Sequence, residues 1–127
     1  MDVSILTNIM ENVYKTLGPG YKENVYHSAV LIELRDHSIE FHSEVICPID
    51  YKGIQVGFER ADVVIYNEKN MVGVLEFKAQ QGNITNKEIV QIRKYLRNFS
   101  VTNGLLLNFS NTLEIYSVTL TNHVKLS

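Results

Sequence analysis

Apolar residues recur at helical spacing from Ser4 to Leu17, where Ile5, Ile9, Val13 and Leu17 fall four apart with Leu6 and Met10 beside them. The spacing predicts a first helix over about 4–17, ended by Gly18-Pro19-Gly20. A second helix is expected from Lys22 to about Asp36, with Val25, Ala29, Ile32 and Leu34 among its apolar positions. The pattern then shifts to strands. Glu40 to Asp50 reads as a strand broken late by Pro48, followed by a turn at Tyr51-Lys52-Gly53-Ile54 and a short strand to about Phe58. Arg60–Tyr66 and Met71–Lys78 flank the polar turn Asn67-Glu68-Lys69-Asn70 and read as a hairpin. After a loop at Gln80–Asn83, Thr85 and Glu88 fit a capping box. The helix it opens runs to about Asn98, with Ile89, Ile92, Leu96 and Phe99 as its buried stripe. Gly104–Phe109 and Leu113–Thr119 are two final strands around Ser110-Asn111. The order predicts an α/β fold, a mixed sheet flanked by helices, as one domain over 1–127 with its core at about 20–119.

The hairpin carries the most informative chemistry. A turn centred on Lys69 sets Asp62 directly opposite Glu76, and a slip of half a residue makes them diagonal neighbours. Opposed residues share a face, and Lys78 shares it with Glu76, while Leu75 and Phe77 point the other way into a core. Two carboxylates roughly 5 Å apart repel by about 3 kcal/mol at an effective dielectric near 20. Lys78 is one candidate to relieve this. A hard divalent cation such as Mg²⁺ is a better one, because it takes a few carboxylate and carbonyl oxygens plus waters. An ordinary solvated hairpin end explains the same residues with no chemistry at all.

Composition narrows the picture. The 127 residues are 45% hydrophobic, enough for a real core, with no apolar run long enough to span a membrane. The N-terminus lacks the basic-then-apolar pattern of a signal peptide, so a cytoplasmic or nuclear setting is expected. The single Cys47 excludes an internal disulfide and a multi-cysteine zinc site. The net charge of −2 gives no bulk attraction to nucleic acid. The third helix differs locally, with Lys87, Arg93, Lys94 and Arg97 against Glu88. A basic helix after an acidic hairpin suits a phosphate backbone passing between a metal and a cationic rim, although a solvated helix face is the usual fate of such charges. Gln91 and Tyr95, spaced i, i+4, share one side of that helix. Glu23, in the first turn of the second helix, is favourable against the helix dipole without any function.

His27, His37, His42 and His123 show no shared ligand spacing, though His27 lies near Tyr26. Cys47 is expected in the core. The tyrosines, Tyr14, Tyr21, Tyr66 and Tyr116 among them, are expected to cap a small core with their hydroxyls in water.

Taken together, Glu23, Asp62, Glu76-x-Lys78 and Gln91-x-x-x-Tyr95 resemble the ordered elements of the PD-(D/E)XK nuclease superfamily, particularly its RecB-type and lambda-exonuclease-like branch. Gly20-x-x-Glu23-x-x-Tyr26 resembles the namesake motif of the GxxExxY family within it, and the likeness runs from Leu17 to Phe109. The resemblance implies an αβββαβ core and hydrolysis of phosphodiester bonds, in DNA, with Mg²⁺ or Mn²⁺. It implies that Asp62 and Glu76 ligate the metal with the Phe77 carbonyl, and that Glu23 completes the cluster directly or through water. Lys78 then orients the attacking water or stabilises transition-state charge, and Gln91 and Tyr95 position the metal shell or the scissile phosphate. Ala61 replaces the proline of the family pattern, which leaves ligation untouched because the carboxylate, not the ring, binds. Two rivals remain: a nucleic-acid-binding or interaction subunit with little turnover, and a dimeric, junction-resolvase-like endonuclease. A homo-oligomer or partner protein could supply the substrate grip that the bare core lacks.

Overall fold

A computed structural model describes residues 1–127. Helices α1 (Val3–Leu17) and α2 (Glu23–Asp36) precede strands β1 (Phe41–Tyr51), β2 (Ile54–Asn67) and β3 (Asn70–Lys78). Helix α3 (Asn86–Phe99) then leads to β4 (Asn103–Phe109), β5 (Leu113–Val118) and β6 (His123–Lys125). The six strands form one sheet in sequence order. Only β3 and β4 are parallel, and α3 is the crossover between them.

Alternate residues of the central strands divide the core in two. Leu75, Phe77, Leu105 and Leu107 pack with Leu6, Ile9, Met10 and Val13 of α1 and with Tyr26, Val30 and Leu34 of α2. Val74 and Leu106 pack against Ile89, Ile92, Tyr95 and Leu96 of α3. Helices therefore cover both faces of the sheet, and β3 and β4 are apolar on both sides as a doubly covered sheet requires. Each fully buried Leu, Ile or Phe here contributes about 1.5–3 kcal/mol.

Several expectations are revised. The α1 stripe is Leu6, Ile9, Met10 and Val13, and Ile5 is exposed. In α2 the buried positions are Tyr26, Val30 and Leu34, and Ile32 faces solvent. Pro48 does not break β1. The strand lies at the sheet edge, where a residue without an N–H can face outward, and Pro48 pairs with Phe58 in the ladder. The two segments separated near Phe58 are one strand of 14 residues. β6 was not expected; its three exposed residues carry no burial periodicity.

The capping box at Thr85 and Glu88 is present, with the Thr85 N–H donating to Glu88 Oε2 at 3.2 Å. The entry to α2 is fixed differently. Gly20 sits at φ +105°, a backbone that L side chains rarely adopt. The buried Tyr26 hydroxyl donates to the Gly18 carbonyl at 2.6 Å and accepts from the Tyr21 N–H at 3.3 Å. Tyr14 and Tyr95 likewise donate to backbone carbonyls, of Ser110 and Arg60. These three hydroxyls thus tie loops and strands together inside the protein rather than facing water. Tyr26→Phe should lower stability by about 1–2 kcal/mol, because two backbone groups lose their partner. A urea titration measures this, and an unchanged midpoint would show that the clamp contributes nothing.

Candidate functional site

The regular β2–β3 ladder ends at the pair Val63 and Leu75, so the next residues, Asp62 and Glu76, stand opposite each other, although the turn itself centres between Glu68 and Lys69. The half-residue slip also occurs, but nearer the turn, as an irregularity between Ile65 and Tyr66. At Asp62 and Glu76 side chains take over the cross-strand bonds. The Asp62 N–H donates to Glu76 Oε1 at 2.8 Å, and the Phe77 N–H donates to Asp62 Oδ2 at 2.8 Å. Strand alternation also breaks here, since Ala61 and Val64 both join the α3 side of the core. Across the ladder, Glu44 sits at φ 55°. The result is a kinked gap between two strands. A residue in extended backbone points its N–H and C=O to the same strand edge, so the Phe77 carbonyl faces the gap as its N–H does.

Side chains reach this gap from both faces. On the α3 side, the Lys78 ammonium donates to Gln91 Oε1 at 3.1 Å. Tyr95 is buried, and its hydroxyl donates to the Arg60 carbonyl at 3.0 Å, two residues before Asp62. Tyr95 therefore braces the backbone of the site from within the core rather than entering it. On the α2 side, Glu23 occupies the first helical turn and is solvent-exposed at residue level. His27 lies one turn further on. Its ring sits 5.0 Å from the Phe77 ring, and its Nε2 is 3.2 Å from Ser43 Oγ.

The electrostatics follow from burial. Glu76 is 3% exposed. Burial first, then the Asp62 charge, pushes its pKa well above the ordinary 4.5. Burial raises Asp62 as well, against the opposing effects of the Phe77 N–H, His27 and Lys78. Glu23 is raised by partial burial and by Asp62. Lys78 lowers all three but pairs with none of them, and the four ion pairs of the chain lie elsewhere. Of the two expected ways to relieve the repulsion, Lys78 thus provides only a partial one.

The residues fit a hard divalent cation. The donor set is all oxygen, and backbone N–H groups occupy only one oxygen of Asp62 and one of Glu76. No three His, Cys, Asp or Glu side chains converge tightly enough to enclose an ion by themselves. Asp62, Glu76 and the Phe77 carbonyl are the residues that would hold such an ion.

The four cations of α3 separate. Lys87 and Lys94 line a cleft of about 600 Å³ with Arg60, Glu59, Gln91 and Tyr95, next to the gap. Arg93 is turned away. Its Nε donates to the Thr119 carbonyl at 2.9 Å, so it pins the turn between β5 and β6 rather than forming a rim with the lysines. Arg97 is exposed and does not line the cleft.

Sequence reasoning assigned no role to Asn108 or Glu114. Both are buried. Asn108 accepts from the Gln80 N–H and donates to the Gly82 carbonyl and to Glu114 Oε1, at 3.0–3.1 Å. Glu114 Oε1 also accepts from the Ile84 N–H. Together they clamp the loop that carries the chain from Lys78 to α3. Polar residues inside an apolar strand, Asn108 in Leu105–Phe109 and Glu114 before Ile115, were the available signal. His27 was set aside, and its i, i+4 spacing from Glu23 was the clue to its place beside the site.

A carboxyl whose folded pKa lies above its unfolded value stabilises the fold while protonated. That contribution is lost as pH rises through the folded pKa. The metal-free protein should therefore lose stability from about pH 4.5 upward through the raised range of Glu76. Glu76→Gln should flatten this slope and raise stability at pH 8. Thermal melts across pH, with EDTA, measure it. Parallel slopes for the two proteins would show that Glu76 is not the strained group.

No curated protein matches the chain. Among solved structures, the crystal structure of SSO0001 is similar, with a TM-score of 0.59 and 21% sequence identity over 76% of this chain and 50% of that one. The chain thus spans about half of that protein, and the likeness concerns the fold. The family model of the PD-(D/E)XK nuclease superfamily matches residues 2–118. With a helix-flanked mixed sheet and opposed Asp62 and Glu76 two residues from Lys78, the chain belongs to the PD-(D/E)XK nuclease superfamily.

Proposed function

We propose that the protein is a Mg²⁺- or Mn²⁺-dependent deoxyribonuclease of the GxxExxY type, in the RecB-like branch of its superfamily. The observation that carries this reading is the Asp62–Glu76 pair, Glu76 buried and Asp62 half-buried, in no ion pair and beside a lysine held by Gln91. A fold does not tolerate such a pair at neutral pH without a cation or a proton. A cation there supplies an acidified water and neutralises charge on the phosphate.

The chain's own residues have separable tasks. Asp62, Glu76 and the Phe77 carbonyl would hold the ion, and Glu23 would accept a hydrogen bond from a water beside it. Lys78 donates a hydrogen bond to the attacking water or to the phosphate oxygen that gains charge. Gln91 fixes the ammonium, which otherwise has four flexible torsions to restrain. Tyr95 holds the Arg60 carbonyl and so the approach of β2 to Asp62. Lys87 and Lys94 bind flanking phosphates in the cleft, and Arg97 adds long-range attraction. The Gly20 turn and the Tyr26 clamp explain the motif around Glu23: they fix where α2 begins, and with it the position of the carboxylate. The buried, unpaired Cys47 suits a reducing compartment.

A binding subunit without turnover is less well supported. An acidic pair with no cation repels the phosphates such a subunit would have to grip.

End-labelled linear and closed circular DNA, incubated with Mg²⁺, Mn²⁺ or EDTA, tests the reading. Wild type should cleave only with metal. Glu76→Ala should lose at least about a hundredfold in rate, the scale of a lost charge-stabilising group. Gln91→Ala should lose less, with the fold intact. Equal cleavage by wild type and Glu76→Ala would overturn the site. Absence of cleavage under every condition would overturn the activity.

A further inference from the structure

Beyond Asp62 the β1–β2 hairpin extends as an arm: α3 covers one face of its root, through Val45, Cys47 and Ala61, and the other face is exposed. Cys47, at 1% exposure, is its last fully buried residue on β1. Beside and beyond it, Ile46, Tyr51, Ile54, Val56 and Phe58 are all large, apolar and 45–69% exposed. At about 150–250 Å² per large side chain, these exposures leave roughly 500–600 Å² of apolar surface in water. That is as large as the largest single patch of a typical monomer, and such patches mark interaction sites.

We infer that this arm is a dimer interface, occupied by the arm of a second copy of the chain. Three observations select that occupant. The first is charge: the arm carries Glu44, Asp50 and Glu59 against Lys52 and Arg60, so it does not attract a phosphate backbone. The second is area. Two arms packed on one another bury about 1,000–1,200 Å², at the threshold for a specific interface. The third is the geometry of the free edge. Pro48 offers no N–H, and Glu44 at φ 55° bends the strand, so a partner cannot simply extend the sheet along β1. Packing is then face to face, and a two-fold axis makes one arm complementary to itself. The inference does not depend on the hydrolytic reading, because the arm residues lie outside the acidic gap.

Sedimentation velocity and light scattering on the full chain at roughly 100 μM, where a micromolar contact is saturated, test it. The wild type should run at twice the 14.5 kDa chain mass. Phe58→Glu and, separately, Ile54→Asp should run at the single-chain mass with unchanged circular dichroism. The Ile54 side chain is 69% exposed, so its replacement leaves the core intact. A wild type at the single-chain mass would overturn the proposal and leave the arm to a different protein. Dimers that survive both substitutions would place the interface elsewhere and overturn it as well. Neither readout uses nuclease activity, so failure here and failure of the hydrolytic reading are told apart.

Discussion

The structure turns on one electrostatic constraint: two carboxylates, Asp62 and Glu76, held opposite each other across adjacent strands with no cationic side chain paired to either. Their repulsion is not relieved by distance, because a backbone N–H from the facing strand binds each one. Those same bonds replace the ladder at this point and open the gap. The features that allow the strands to part therefore also fix the acidic oxygens and aim the Phe77 carbonyl between them.

The rest of the fold supports this gap from both faces of the sheet. α3 supplies Gln91 to restrain Lys78 and Tyr95 to anchor the strand before Asp62. α2 supplies Glu23, whose place depends on the Gly18–Tyr21 turn that Tyr26 holds closed. Behind the loop after Lys78, the buried Asn108–Glu114 pair satisfies three backbone groups that would otherwise be free to wander. Because rigid packed elements converge on one point, the acidic cluster can be strained without unfolding.

The α3 cations show how a charge run read from sequence divides in three dimensions. Lys87 and Lys94 line the cleft, while Arg93 is spent on the Thr119 carbonyl. Helical spacing alone assigns all four to one basic helix. Which of them face the gap depends on the rotation of the helix against the sheet, and that is set by Ile89, Ile92 and Leu96 packing onto Val74 and Leu106.

The sequence by itself determined the order of helices and strands, the meeting of Asp62 and Glu76 across one hairpin, the capping box of α3 and the motif set that marks the superfamily. These are local features: side-chain periodicity, turn length and i, i+4 spacing act over a few residues and need no knowledge of the rest of the chain. Only the tertiary structure decided that β1 runs through Pro48 at an edge, that Ile5 and Ile32 face water, and that Tyr14, Tyr26 and Tyr95 turn their hydroxyls to carbonyls. Tertiary structure alone also brought His27, Asn108 and Glu114 to the margins of the site. Each of these depends on which elements become neighbours across long sequence separations, and packing on the two faces of the sheet, rather than any local pattern, makes that choice.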